Sequence, residues 1–171
     1  MVTIQRIVPP YAIESVCVRP EQEQFIDPVD KVLSIMQEGE VPFVVRSDGR
    51  DVGFFTLRPS RNDEVEQLRS SDRCTLISFM IDSQHQGKGF ASMALGKLPG
   101  LVLATFPANN SVGLTVNCRN SQAYRLYEKN GFRDIGELYY GGCAGPQHIM
   151  IMDLRPLYER HKEQEGILPA G

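Results

Sequence analysis

The sequence predicts a mixed α/β (α+β) fold in a single domain, a central mixed sheet with helices packed on its faces. Three observations carry this. Apolar segments alternate with segments of helical period in the order strand, helix, strand, strand, strand, helix, strand, helix, strand, strand. The segment 75–81, TLISFMI, is apolar throughout, as a central strand covered on both faces would be. The length of 171 residues suits one domain with a real core and is too short for two, so we read a domain over 1–155 and a polar C-terminal tail over 156–171.

The elements follow in order. Residues 15–18, SVCV, read as a short strand and 20–24 as a polar connection. Asp27 is placed to cap a helix, Pro28 suits its first turn, and Val29, Val32, Leu33 and Met36 recur at helical spacing until Gly39 ends it. Residues 43–45 and 52–57 are strands joined through Asp48-Gly49, a strong hairpin signal. Residues 58–72 are charged and nearly free of large apolar side chains, hence an exposed loop or a frayed turn. After the central strand, Phe90, Ala94, Leu95 and Leu98 mark a helix face that Pro99 interrupts or restarts before 101–103. Residues 112–116 form another strand. Asn120 begins a second clear helix whose Ala123, Leu126, Tyr127 and Asn130 share a face, and Lys129 followed by Gly131 stops it. Residues 135–140 and 148–154 close the sheet as a hairpin around GGCAGP, and the tail reads as helical over 157–163.

Composition excludes several classes of function. A net charge of −3 provides no basic footprint for nucleic acid or an anionic membrane. The four cysteines, Cys17, Cys74, Cys118 and Cys143, are far apart and form no C-x-x-C pair, so no metal site is expected. The first ten residues are broken by Gln5, Arg6 and two prolines, and no apolar run of about 18 residues follows. The expectation is a cytoplasmic protein with reduced thiols.

The chemistry concentrates in QHQGKGFASM, residues 84–93, between the apolar strand and the next helix. A P-loop fails here, because Lys88 is followed by Gly89 rather than Ser or Thr and the position five before Gly87 is Asp82. A dinucleotide fingerprint starting at Gly87 and Gly89 has Ser92 at its third glycine position and does not open a βαβ unit. What remains is a strand, a glycine loop and a helix N-terminus, where backbone amides and the helix dipole converge on an anion. An ordinary glycine-rich turn is the alternative.

A second motif bears on that choice. Residues 120–132, NSQAYRLYEKNGF, match N-x-x-A-x-x-L-Y-x-K-x-G-F, and the loop before them matches Gln-x-x-Gly-x-Ala at Gln86, Gly89 and Ala91, or Gln-x-x-Gly-x-Gly in the frame of Gln84, Gly87 and Gly89. Together these resemble the GNAT N-acetyltransferase superfamily, strongly over 75–132 and elsewhere by order of elements. Within it, residues 20–25, 52–54 and 79–82 are similar to bacterial spermine or spermidine (polyamine) acetyltransferases.

The resemblance implies a mostly antiparallel GNAT sheet with helices on both faces, and acetyl-CoA as cosubstrate with no metal. Its pyrophosphate would lie on the backbone of Gln86, Gly87, Lys88, Gly89, Phe90 and Ala91, held by amides more than by the lysine charge. In the family the strand before the loop splays from its parallel neighbour beside a bulge. The pantetheine arm then pairs with the freed edge, here Phe79, Met80 and Ile81, opposite Leu114, Thr115 and Val116. An amide of Met80 or Ile81 would hold the thioester oxygen as charge develops on it. Tyr127 is the family candidate for the catalytic acid that protonates the departing thiolate, against a packing role on its helix; Asn120 reads either as helix cap or as a contact to the pantetheine arm.

The implied reaction is direct acetyl transfer to a primary amine of a small molecule, a polyamine among the candidates, with a non-catalytic acyl-CoA binding module as the alternative. An ammonium acceptor with a pKa of about 10 must lose a proton before it attacks. Asp82, His85, Glu38, Glu40 and Tyr139 are imaginable bases, each with a surface or packing role as its plainer reading. Cys143 is better read as a turn residue than as an acyl carrier. The closing hairpin, if exposed, is suited to pairing across a homodimer.

Overall fold

The computed structural model describes residues 1–164. Seven strands form one sheet: β1 (Val2–Arg6), β2 (Val41–Ser47), β3 (Arg50–Pro59), β4 (Arg73–Ile81), β5 (Ser111–Asn117), β6 (Arg133–Tyr139) and β7 (Gln147–Asp153), ordered β1-β2-β3-β4-β5-β7-β6. Every neighbouring pair is antiparallel except β4 with β5. The helices are α1 (Val29–Ser34), α2 (Phe90–Thr105), α3 (Ser121–Lys129) and α4 (Arg155–Gln164).

Local chemistry accounts for the joints. Ser47 pairs with Arg50 across a two-residue turn in which Asp48 and Gly49 have φ of 51° and 81°, the positive pair a type I′ hairpin requires. At the start of α3 the Asn120 side chain accepts the Ala123 amide at 3.3 Å. At its end Phe132 N–H reaches the Tyr127 carbonyl at 3.1 Å and Gly131 N–H reaches Glu128 at 3.2 Å, a Schellman pair with Gly131 at φ 98°. That stop drives Phe132 into the core, where it is 1% exposed.

The two sheet faces are covered differently. Phe43, Val45, Phe55, Leu57, Leu114 and Met150 point to the side packed by Leu95, Leu98 and Val102 of α2 and Tyr127 of α3. On the other face, Val44, Phe54 and Met80 lie under Val29 and Val32 of α1, and Ile149 lies under Val65 and Leu68.

Several expectations are corrected. Residues 15–18 form no strand; the first strand is β1, within a stretch whose prolines at 9 and 10 concealed it. Cys17 gives its N–H to the Asp82 carboxylate at 3.1 Å and takes the Ser83 N–H on its carbonyl at 2.7 Å, so its backbone is satisfied without a ladder. Asp27 does not cap α1. The cap position is Pro28, without a side-chain bond, and the Asp27 carboxylate instead pairs with Lys31 at 2.7 Å. The helix stops at Ser34, short of Met36.

The 58–72 connection is not an exposed loop. It holds two short 3-10 turns, and Val65, Leu68 and Asp63 are buried. Asp63 is its internal anchor, accepting the Val65 N–H at 3.0 Å and the Thr75 hydroxyl at 2.6 Å. Pro99 does not break α2, whose buried Leu98 and Val102 hold one face across it. α4 covers the helix expected at 157–163; Leu157 and Tyr158 pack against the core, and residues 165–171 of the polar tail lie outside the described residues.

Candidate active site

The site opens where the sheet does. β4 and β5 pair only from Arg73 opposite Ser111 to Thr75 opposite Gly113, and then the parallel ladder ends. On the other side of β4, Phe54 faces Met80 and Thr56 faces Ile77, so Ser78 and Phe79 together oppose Phe55. This is a β-bulge, and Ser78 takes the rare positive φ of 54°. The bulge turns β4 away from β5, and a cavity of 690 Å³ fills the gap.

Phe79, Met80 and Ile81 line this cavity, facing Thr115 and Val116 of β5; Leu114 lies in the core. Asp82 returns its N–H to Val52 of β3 at 2.9 Å. Alternation along an antiparallel ladder then directs the polar backbone of Met80 toward β3 and that of Ile81 toward the cleft. The Ile81 carbonyl accordingly accepts the Gln86 side-chain N–H₂ at 3.0 Å. Of the two amides considered for the oxyanion, the ladder favours Ile81.

The glycine loop forms the next wall. Gly87 and Gly89 have φ of 75° and 81°, and Gly89 occupies the N-cap of α2. An added Cβ would meet nothing within 4 Å at Gly87 and only Met93 Cε at 3.5 Å at Gly89, so backbone conformation rather than crowding selects glycine. Among the described residues, the amides from Gln86 to Ala91 have no protein acceptor. The first turn of the 16-residue α2 carries no acidic side chain, and its dipole end faces the same space. Gln86, Gly87, Gly89, Phe90 and Ala91 line the cavity; the exposed Lys88 and Gln84 do not.

α3 contributes the third wall. Tyr127 is 8% exposed, with its ring 6.2 Å from Phe79 and 5.7 Å from Phe132. Its hydroxyl has no protein partner among the described residues, and burial pushes the phenol pKa up, which keeps the proton in place. Asn120 caps α3 through its side-chain oxygen and also lines the cavity. Ala123 and Leu126 are only half-buried because they face the cavity.

Of the five imagined bases, His85 alone lines the cavity. Its Nδ1 lies 3.0 Å from Asp82. Burial opposes charge on Asp82, but the Cys17 amide, His85 and the Gln84 amide together hold its pKa below the usual carboxylate range. Glu40 pairs with Arg58 at 3.7 Å, and Tyr139 packs on Val65 and Leu68 across the sheet. Cys143 is an exposed turn residue.

The sequence leaves the acceptor pocket to the early helix, the 58–72 segment and the closing hairpin without naming residues; the cavity lining includes residues at the first and third of these regions and none of 58–72. Gln22, Phe25, Ile26 and Asp27 line the cavity from before α1, and Ala144 and Gln147 from the closing hairpin. No local motif marks them, because they arrive by tertiary packing. Arg125 and Lys129, one turn apart on α3, also border it, and their i,i+4 spacing was a readable signal.

Residues 5–132 match the model of the acetyltransferase (GNAT) family. The chain is 35% identical over 100 residues to the uncharacterized N-acetyltransferase YbbJ of Bacillus subtilis, covering 58% of this chain and 62% of that protein, so the match spans under two thirds of the relative's length. A GNAT family acetyltransferase from Elizabethkingia anophelis with acetyl-CoA bound shares the fold, with a TM-score of 0.63 at 12% identity over 89% of this chain and 97% of that one. A chimera of spermidine N-acetyltransferase SpeG from Vibrio cholerae with hSSAT has a TM-score of 0.57 at 21% identity, over 76% and 73% of the two chains.

Proposed function

Because the chain belongs to the GNAT acetyltransferase family, we propose that it transfers an acetyl group from acetyl-CoA directly to a primary amine of a small molecule. The observation that carries this reading is the opening between β4 and β5 at the Ser78 bulge, continuous with the free amides of the glycine loop. One anion-binding cradle and one strand edge thus meet in a single cavity, which suits a coenzyme with a pyrophosphate and an amide-bearing arm.

Acetyl-CoA supplies an activated thioester. The chain's own contributions are separate. The amides from Gln86 to Ala91 hold phosphate oxygens, and Gln86 at Ile81 favours the frame that begins at this glutamine. The Ile81 N–H, on the cleft side of β4, stabilises charge on the thioester oxygen in this reading. Tyr127, buried and protonated, is the acid beside the departing sulfur. The remaining wall, from Gln22 to Asp27 and at Ala144 and Gln147, is left to the acceptor.

A polyamine acceptor is supported by the likeness to the SpeG chimera and by the similar segments of the sequence. Asp27 offers a carboxylate at that end, although Lys31 already pairs with it. We assign the acetyltransferase domain to 1–155, with Leu157 and Tyr158 of the appended segment docking on it. A cytoplasmic setting agrees with the four free thiols.

The test is CoA thiol release with acetyl-CoA and a panel of polyamines, aminoglycosides, amino acids and peptides. Wild type is expected to turn over at least one of them. Tyr127→Phe should lower kcat by about 10²-fold and leave the KM for acetyl-CoA nearly unchanged. Binding of acetyl-CoA without turnover by either form would overturn catalysis and leave a binding module.

A further inference from the structure

Two side chains of the coenzyme loop turn away from the anion cradle. Asp82 accepts the Cys17 N–H at 3.1 Å, and Ser83 returns its own N–H to the Cys17 carbonyl at 2.7 Å. Gln86 gives one proton of its side-chain amide to Ile81 and the other to the Gln22 side-chain oxygen, at 3.0 and 2.7 Å. That same Gln22 oxygen accepts the Arg19 N–H at 3.1 Å and so closes the 3-10 turn Pro20–Gln22. The turn leads directly into Phe25, Ile26 and Asp27, which wall the far end of the cavity.

From these contacts we infer that residues 18–27 are latched to the coenzyme loop, and that Gln22 is a positioning residue which makes acceptor affinity depend on coenzyme occupancy. The inference rests on the proposed acetyl-transfer reading for the identity of the acceptor wall. An anion settling on the loop amides fixes the backbone of Gln86, whose side chain holds Gln22 and with it the wall. By linkage, a bound acceptor must tighten acetyl-CoA by the same factor. At the other end, Arg119 lies over the Phe25 ring at 5.7 Å and bonds the Ala144 carbonyl at 2.8 Å, so the wall pivots on a second fixed point rather than swinging free.

Hydrogen exchange on the full chain, with and without acetyl-CoA, tests the latch before any acceptor is known. Amides of 18–27 should gain protection on coenzyme binding. Gln22→Met, which keeps length but removes the acceptor oxygen, should lose that gain, raise the acceptor KM about tenfold, and weaken acetyl-CoA by no more than that same coupling factor. Gln22→Glu, which keeps an oxygen for Arg19 and Gln86, should restore both. Wild-type protection at 18–27 that ignores acetyl-CoA would overturn the latch, as would a Gln22→Met protein with unchanged protection and acceptor KM. Coenzyme-dependent protection without transfer to any amine would instead sink the acetyl-transfer reading and leave the latch standing.

Discussion

Gly87 and Gly89 hold positive φ at the mouth of the anion cradle, whereas Lys88 between them points outside the cavity wall. On the proposed reading the amides do the holding, so substitutions at these neighbours should separate. Gly89→Glu places a carboxylate against the pyrophosphate and a Cβ in a left-handed backbone, so acetyl-CoA affinity should fall about tenfold or more by calorimetry. Lys88→Ala, losing one exposed charge, should change it by less than about fivefold. Asp82 makes a second residue-level prediction. Its folded pKa is depressed by the amides of Cys17 and Gln84 and by His85, so its stabilising contribution is fully present above the unfolded value of about 3.9. The contribution is lost as pH falls below that value. Urea midpoints measured from pH 5.5 to 3 should decline more steeply for wild type than for Asp82→Asn, and parallel declines would refute the assignment.

At the scale of elements, the legible parts were those whose signal is local. The Asp48-Gly49 hairpin, the α3 cap and stop at Asn120 and Gly131, and the closing hairpin are each written in a few adjacent residues. The loop and the α3 motif likewise marked two walls of the cavity. The individual residues of the wall from Gln22 to Asp27 were illegible because its structure comes from Asp82 and Gln86, some sixty residues away. The 58–72 segment shows the same limit. Its charge suggested exposure, yet Asp63 turns inward and Leu68 is 0% exposed, covering Ile149 and pressing so close to Gly113 that an added Cβ there would lie 2.5 Å from Leu68 Cδ2. A true exposed loop would tolerate truncation at this position. Leu68→Ala should instead cost about 2 to 5 kcal/mol in chemical denaturation, whereas the nearby exposed Glu64→Ala should stay within about 0.5 kcal/mol.

For the whole molecule, the sheet is one structure with an opening in the middle, and its two ends need not loosen together. β4 and β5 are joined by three residue pairs only, so the parallel seam is the thinnest part of the ladder. Cys74 lies within that seam, opposite Val112, and is 0% exposed. Burial pushes its thiol pKa up to about 12, which removes the reactive thiolate at neutral pH. Cys17 and Cys143 are exposed and Cys118 is intermediate, so the four thiols form a graded set of reporters on one chain. Alkylation followed by mass mapping should label Cys17 and Cys143 first and Cys118 more slowly. Cys74 should react only on opening of the seam. If that opening requires global unfolding, Cys74 labelling will track the unfolding free energy measured in urea; if the seam breathes by itself, Cys74 will react at a lower free energy than the core amides exchange. If acetyl-CoA binds across the opening as proposed, it ties β4 to β5 and should slow Cys74 labelling by more than it slows labelling of Cys143. Equal effects at the two cysteines would show that the coenzyme does not bridge these strands.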